Sequence, residues 1–462
     1  MSILYNLDIL VILGYLLLTL SVGIISSKVS TSFKDFSYVP AVLRKNKLIL
    51  AATVFATAVG GGTTFGLTEK VFSENLSYVY ALILTTPVDL LIAFLVIPKI
   101  ASYYDAISVG DIMAEEYGST GRIISGIMVV FTSVGFLAAQ ISVSGHLLSN
   151  MFNIDYLTSI IISYSILILY TSLGGLRSVI ANNSWQFLTM IIAIPLLTFF
   201  GLQEIGLSNF IEHVPLAKYS LSDNNLMWDT IWMTLSFSVM GCYPTLIQRA
   251  LLNKNSKYMT HAMVIKTIIY IFFIGCIAVN GLIAMQISPD LGSNMALQDT
   301  IQKIMPIGLR GVVIIGFLSA AMSTADTDLN VASVSVAEDI FKPIFGIIES
   351  SKLSFIARAT SVVIGSASIL ISASFESIVD ITLHVAGLWA PTMLVPFIAT
   401  IFGKHISKRG LVIGIISGIM SCLMWQYFYG NIHMLRGIFV GTIMHLLVFI
   451  INYHVENVGR RR

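Results

Sequence analysis

The sequence predicts an all-α polytopic membrane protein with about thirteen transmembrane helices, and three observations carry that expectation. Of the 462 residues, 56% are hydrophobic and only 11% are charged. Soluble domains carry about a quarter charged residues. Apolar blocks of about 20 residues, the length needed to cross a hydrocarbon core of about 30 Å, recur from end to end. Once those blocks are laid across a membrane, most basic residues sort onto one side of it. The net charge of +2 comes from residues scattered between the blocks, with no basic face to suggest a nucleic acid partner. Cys242, Cys276 and Cys422 lie inside apolar spans at a spacing that fits neither a metal site nor a disulfide framework. They read as buried hydrophobes.

In order, the blocks lie near 7–26, 48–68, 76–98, 122–148, 154–173, 184–205, 228–247, 259–286, 309–337, 354–373, 377–402, 410–428 and 433–452. The first has no basic leader, carries Asp8 and is followed by many more spans, so it reads as a membrane helix rather than a cleaved signal. The longest gap, Gln203 to Asp229, reads as a loop with one short helix. With the N-terminus outside and the spans alternating, twenty Lys and Arg fall on the cytoplasmic side, Lys28, Arg44, Lys254 and Lys404 among them. Five fall outside, namely Lys70, Lys218, Lys303, Arg310 and Arg436, while Lys266 sits within the eighth span. That asymmetry predicts an outside N-terminus and a cytoplasmic C-terminus. The short loops favour a bacterial inner membrane, that is, a plasma membrane. About ten residues follow the last span, so a sensor role would require a separate signalling partner.

Two spans look broken. The second carries "VGGGTTFG" (Val59–Gly66), and three consecutive glycines continue a helix poorly. The seventh carries "MGCYPTLIQR" (Met240–Arg249), where Pro244 removes a backbone donor and clashes with the preceding turn. Backbone groups freed inside lipid must find partners within the protein. The breaks are five spans apart, so two five-span halves, 48–205 and 228–402, would run in opposite orientations. Interrupted helices at matching positions of two such halves point to a transporter's binding site. The alternative is that Gly and Pro are simply common in membrane helices.

The ninth span contains "AAMSTADTDLN" (320–330), two carboxylates and several hydroxyls in a segment otherwise fit for lipid. Ala320, Ser323, Thr324 and Thr327 are spaced to share one helix face. That face offers hydroxyl oxygens, and a small hard cation takes oxygen ligands. The competing reading has Ser and Thr bonding back to their own helix carbonyls. Asp326 and Asp328 point to different sides of the helix and cannot act as a paired acid and base, and no histidine metal cluster is present. Enzyme function is therefore not expected.

"GLRGVVIIGFLSAAMSTADTDLNVASVSVAEDIF" (Gly308–Phe341) resembles the signature span of the sodium:solute symporters. That group includes proline, pantothenate, sialic acid, galactose and choline carriers. "SLGGLRSVIANNSWQF" (Ser172–Phe187) is similar to the family's short inner loop and following helix, and "YPTLIQR" (Tyr243–Arg249) to the motif closing its second broken helix. The resemblance implies a five-plus-five inverted repeat of the leucine-transporter type, with one helix added in front and two behind. It also implies Na⁺-coupled import of a small organic solute by alternating access. Carried onto this chain, the sodium ligands would be the Ser323 and Thr324 hydroxyls with the carbonyls of Ala320, Ala56 and Val59. Many members have Asp where this chain has Asn183, which speaks against a second sodium.

The solute, whether amino acid, quaternary ammonium, sugar or carboxylate, would then lie beside the two breaks. Candidate contacts are Thr63 and Thr64 in the second span, Gln140 in the fourth, and Phe237, Met240 and Tyr243 in the seventh. Asp89, a charge in mid-span, is a functional candidate by its cost alone, or else it is paired with a polar neighbour. His384 and Trp389 read as buried, hydrogen-bonded side chains.

Overall fold

The computed structural model describes residues 7–28, 32–38, 46–215, 218, 224–346, 348–374, 387–430 and 434–461, and these are helical almost throughout. Among the described residues, nine helices are long and apolar enough to cross a membrane, or eleven if each of two bent pairs counts as one span. The expected thirteen is thus not reproduced as a count. Two places account for the difference. Residues 154–173 and 184–205 fall in one run, Tyr156–Ile205, of 50 residues. A straight helix of that length would reach about 75 Å, more than twice the hydrocarbon thickness. The backbone leaves helical geometry inside it at Gly175 (φ 57°, ψ −146°), where the Phe36 ring and carbonyl leave no room for a Cβ. Of the expected span 377–402, residues 377–386 lie outside the described residues, His384 among them, and Ala390–Ile401 forms a shorter apolar helix.

The helices begin where short polar side chains cap them. Asn46 Oδ1 accepts from the N–H of Leu48 and Ile49, Asp155 from Thr158, Asn255 from Lys257, and Ser407 Oγ from Gly410. The core of the bundle is the Leu309–Phe345 helix, whose most apolar window is 94% buried against 28% for Leu7–Ser27. It packs most extensively on Tyr156–Ile205. Small residues allow that approach: a Cβ at Gly316 would collide with Ala193. Asp8 of the first helix accepts from the N–H of Gly308 (2.7 Å) and Gly311 (2.9 Å), a carboxylate at the positive end of the central helix.

Both expected breaks are present. Lys47–Ala58 and Gly62–Ser73 meet at 65°, and Leu226–Met240 and Pro244–Ala250 at 48°. The polar groups they free are taken up inside the protein. Gln140 Oε1 accepts from Gly61 N–H at 2.6 Å, and Trp389 Nε1 donates to the Cys242 carbonyl at 2.9 Å. Tyr243 Oη donates across to the Thr57 carbonyl at 2.8 Å, tying one break to the other.

Candidate functional site

Where the first break ends Lys47–Ala58, the Ala56 carbonyl faces the central helix. Ser323 Oγ lies 2.9 Å from that oxygen and 3.1 Å from the Ala320 carbonyl. Thr324 Oγ1 lies 3.4 Å from each of the same two oxygens. The hydroxyls therefore bond back to their own helix and reach across to the broken one at once. Val59 sits just past the helix end in extended geometry (φ −107°, ψ 94°) with its N–H on the Phe55 carbonyl. All five residues are buried. The result is a set of oxygens with no ionised group in direct contact, suited to a small dehydrated monovalent cation. Gly60 makes the approach possible, since a Cβ there would stand 2.9 Å from both Gln140 Oε1 and Thr324 Oγ1.

Beside this cluster lies a cavity of about 290 Å³. Six of the seven expected solute contacts line it: Thr63, Asp89, Gln140, Phe237, Met240 and Tyr243. Thr64 does not; it is fully buried with its hydroxyl on the Gly60 carbonyl at 3.0 Å. Thr324 also lines the cavity, so the cation cluster and the cavity share a wall. Lys266, Tyr270 and Phe136 are among the lining residues that were not anticipated. Lys266 Nζ is 2.6 Å from Asp89 Oδ2 and 4.7 Å from the centre of the Tyr270 ring. Phe136 packs on Tyr243 at 5.6 Å between ring centres. Lys266 carried the same signal as Asp89, a charge in mid-span, and its weight was missed.

A second polar cluster lies one turn further along the central helix. Asp326 and Asp328 are buried, as are Arg249 and Asn183. Asp326 Oδ2 accepts from Tyr170 Oη at 2.8 Å. Arg249 donates through Nη1 to Gln248 Oε1 (3.1 Å) and through Nη2 to Thr327 Oγ1 (3.0 Å). In the orientation that satisfies its neighbours, Asn183 Oδ1 accepts from the hydroxyls of Thr53 (3.2 Å) and Thr327 (3.3 Å). Its Nδ2 then donates to Asp326 Oδ1 at 3.3 Å. Both aspartates are thus buried in the bundle, Asp326 on the Tyr170 hydroxyl and Asp328 with its Oδ2 making no hydrogen bond among the described residues.

The family model "SSF: Sodium:solute symporter family" matches residues 45–418. The sodium/pantothenate symporter of Escherichia coli (strain K12) is 22% identical over 404 residues, covering 82% of this chain and 83% of that protein. The sodium/proline symporter of Staphylococcus aureus is 26% identical over 411 residues, covering 82% and 78%. Sodium/glucose cotransporter 4 of Mus musculus is 23% identical over 479 residues, covering 91% and 69%. Among solved structures, a substrate-bound, outward-open Na⁺-coupled sialic acid symporter superimposes with a TM-score of 0.83 at 20% identity, covering 97% of each chain. MhsT in complex with L-phenylalanine gives 0.59 at 15% identity, covering 89% of this chain and 98% of that one.

Proposed function

The chain belongs to the sodium:solute symporter family, and from that membership we propose how its residues divide the work. The protein is a membrane-embedded, sodium-coupled symporter of a small organic solute. Na⁺ is held by the hydroxyls of Ser323 and Thr324 and the carbonyls of Ala56, Val59 and Ala320. The solute occupies the adjoining cavity against Thr63, Asp89, Gln140, Phe237, Met240 and Tyr243, with Thr64 serving the break through its bond to Gly60. Segments 48–205 and 228–402 act as the two inverted halves whose relative rocking gives alternating access. The N-terminus lies outside and the C-terminus in the cytoplasm of a bacterial inner membrane, as the distribution of basic residues supports.

The observation that carries this reading is the meeting of Ser323 and Thr324 with the Ala56 carbonyl at the first break, in the wall of the cavity. An ion bound there stabilises the bent geometry that the solute also contacts, so each ligand strengthens the binding of the other. Ser323→Ala and Thr324→Ala each remove one ligand oxygen from a dehydrated ion, at about 1–3 kcal/mol. The half-saturating Na⁺ concentration for uptake should rise by roughly fivefold or more in each variant, with the protein still folded and in the membrane. Sodium dependence unchanged in both would remove these residues from the ion site.

A further inference from the structure

The cavity wall holds one buried ion pair, and its partners come from different spans. Asp89 and Lys266 are 14% and 6% exposed along their side chains and stand 2.6 Å apart. An ion pair at membrane depth that served only to join two helices would be matched or bettered by apolar packing of equal volume. This pair does not sit between packed helices alone. Both residues border the cavity beside the Ser323–Thr324 cluster, and both border a small recess lined by Tyr243 and Arg249 as well. The lining includes Val88, Phe136, Met240 and the Tyr270 ring, with Thr57, Thr85, Gln140 and Ser238 adding polar groups. The charges of the whole lining, Glu69 and Asp89 against Lys70 and Lys266, balance.

We infer that Asp89 and Lys266 are the charge-recognition point for the solute, and that the solute is a zwitterion with a small apolar body, of the amino-acid or betaine class. Its carboxylate takes the Lys266 ammonium and its own cationic nitrogen takes Asp89, so one ion pair is exchanged for two and no buried charge is left alone. A solute with a single charge does not allow this: an anion on Lys266 strands Asp89, and a cation on Asp89 strands Lys266. A neutral sugar carries no charge to answer either partner, and its contacts would have to come from the Thr, Ser, Gln and Tyr side chains of the lining. The inference rests on the reading of this cavity as the solute site and extends it to a substrate class.

Thermal unfolding of the purified full-length chain tests it, with and without Na⁺, against the twenty common amino acids, glycine betaine and a set of neutral sugars. For each zwitterion that stabilises, the matching acid without its cationic nitrogen and the matching amine without its carboxylate are compared. The expected result is Na⁺-dependent stabilisation by at least one zwitterion, with both single-charge analogues weaker by tenfold or more. Asp89→Asn and Lys266→Gln should each weaken that zwitterion by tenfold or more while Na⁺ alone still stabilises. Should either single variant fail to fold because its partner is left as a lone charge, the double variant Asp89→Asn/Lys266→Gln removes both charges. It should respond to Na⁺ and not to the zwitterion. Stabilisation by sugars or single-charge solutes in place of zwitterions, or unchanged zwitterion affinity in the variants, overturns the inference. No stabilisation of the unmutated protein by Na⁺ would instead overturn the sodium site itself.

Discussion

At Asn183 one atom decides the charge of a buried cluster. Its amide is surrounded by Thr53, Thr327 and Asp326, and Arg249 reaches the same Thr327 hydroxyl. A guanidinium already stands where a second cation would need oxygens, and two cations in a buried site repel strongly. Asn183→Asp places a carboxylate within hydrogen-bonding distance of Asp326, so one of the two must recruit a cation or a proton. The expected outcome is a sodium titration of uptake that steepens, its Hill coefficient moving from near one towards two. A titration of unaltered steepness would mean that the new charge is met by Arg249 or by protonation alone. Residue by residue, the site was legible where chemistry and spacing coincide. Ser323 and Thr324 share a helix face by arithmetic and Tyr243 is a polar group at a break, whereas Gln140, 79 positions from Gly61, meets the first break only in three dimensions. Lys266 was not read because a lysine in a span passes for a topology marker. Its meaning comes from Asp89, 177 positions away in sequence. Trp389 was expected to be hydrogen-bonded, but that its partner is the carbonyl freed beside Pro244 is a fact of three dimensions.

The two broken helices are the elements on which coupling turns in the proposed mechanism, and glycine and proline announced both. Their angles, 65° and 48°, were not legible, because a bend is set by what catches the freed backbone. Gln140 catches the first at Gly61 and Trp389 the second at Cys242, and Tyr243 joins them through Thr57. Gly60 is the tightest point in this arrangement. In Gly60→Ala the new methyl would have to push back Gln140 Oε1 or Thr324 Oγ1, each 2.9 Å from it. Displacing Thr324 loosens the ion cluster and displacing Gln140 frees the Gly61 N–H, so both ligands should suffer together. The expected outcome is a rise of about tenfold or more in the half-saturating concentrations of both Na⁺ and solute, for a loss of roughly 1–3 kcal/mol. Flux measurements on membranes with matched protein content read this directly. A change in only one of the two constants would show that the break does not link the sites.

At the scale of the whole molecule the helical membrane class was legible from composition and block length, while the count of thirteen crossings is not confirmed by the nine to eleven spans among the described residues. Tyr156–Ile205 turns at a single glycine inside what is otherwise continuous helix, so hydropathy alone separates its two parts better than hydrogen bonding does. What the assembled bundle must deliver is a fixed ratio of ion to solute carried together. If Na⁺ takes the one proposed oxygen cluster, beside a polar cluster that already holds Arg249, and the cargo is the proposed zwitterion, each cycle should carry one sodium and one net charge. An inside-negative potential of 100 mV supplies about 2.3 kcal/mol and a tenfold sodium gradient about 1.4 kcal/mol, enough for an accumulation of several hundredfold. Reconstituted vesicles make the ratio measurable. With sodium tenfold higher outside and solute tenfold higher inside, one-to-one coupling of a neutral cargo balances at zero membrane potential. Two sodium ions per solute would balance only when the interior is held at about +30 mV, half of the roughly 59 mV that a tenfold ratio is worth per charge. Zero net flux is therefore expected at zero potential. A balance point near +30 mV would mean that the cluster around Asp326 and Asn183 takes up sodium despite Arg249, and that the charge lost at position 183 is supplied by its neighbour on the central helix.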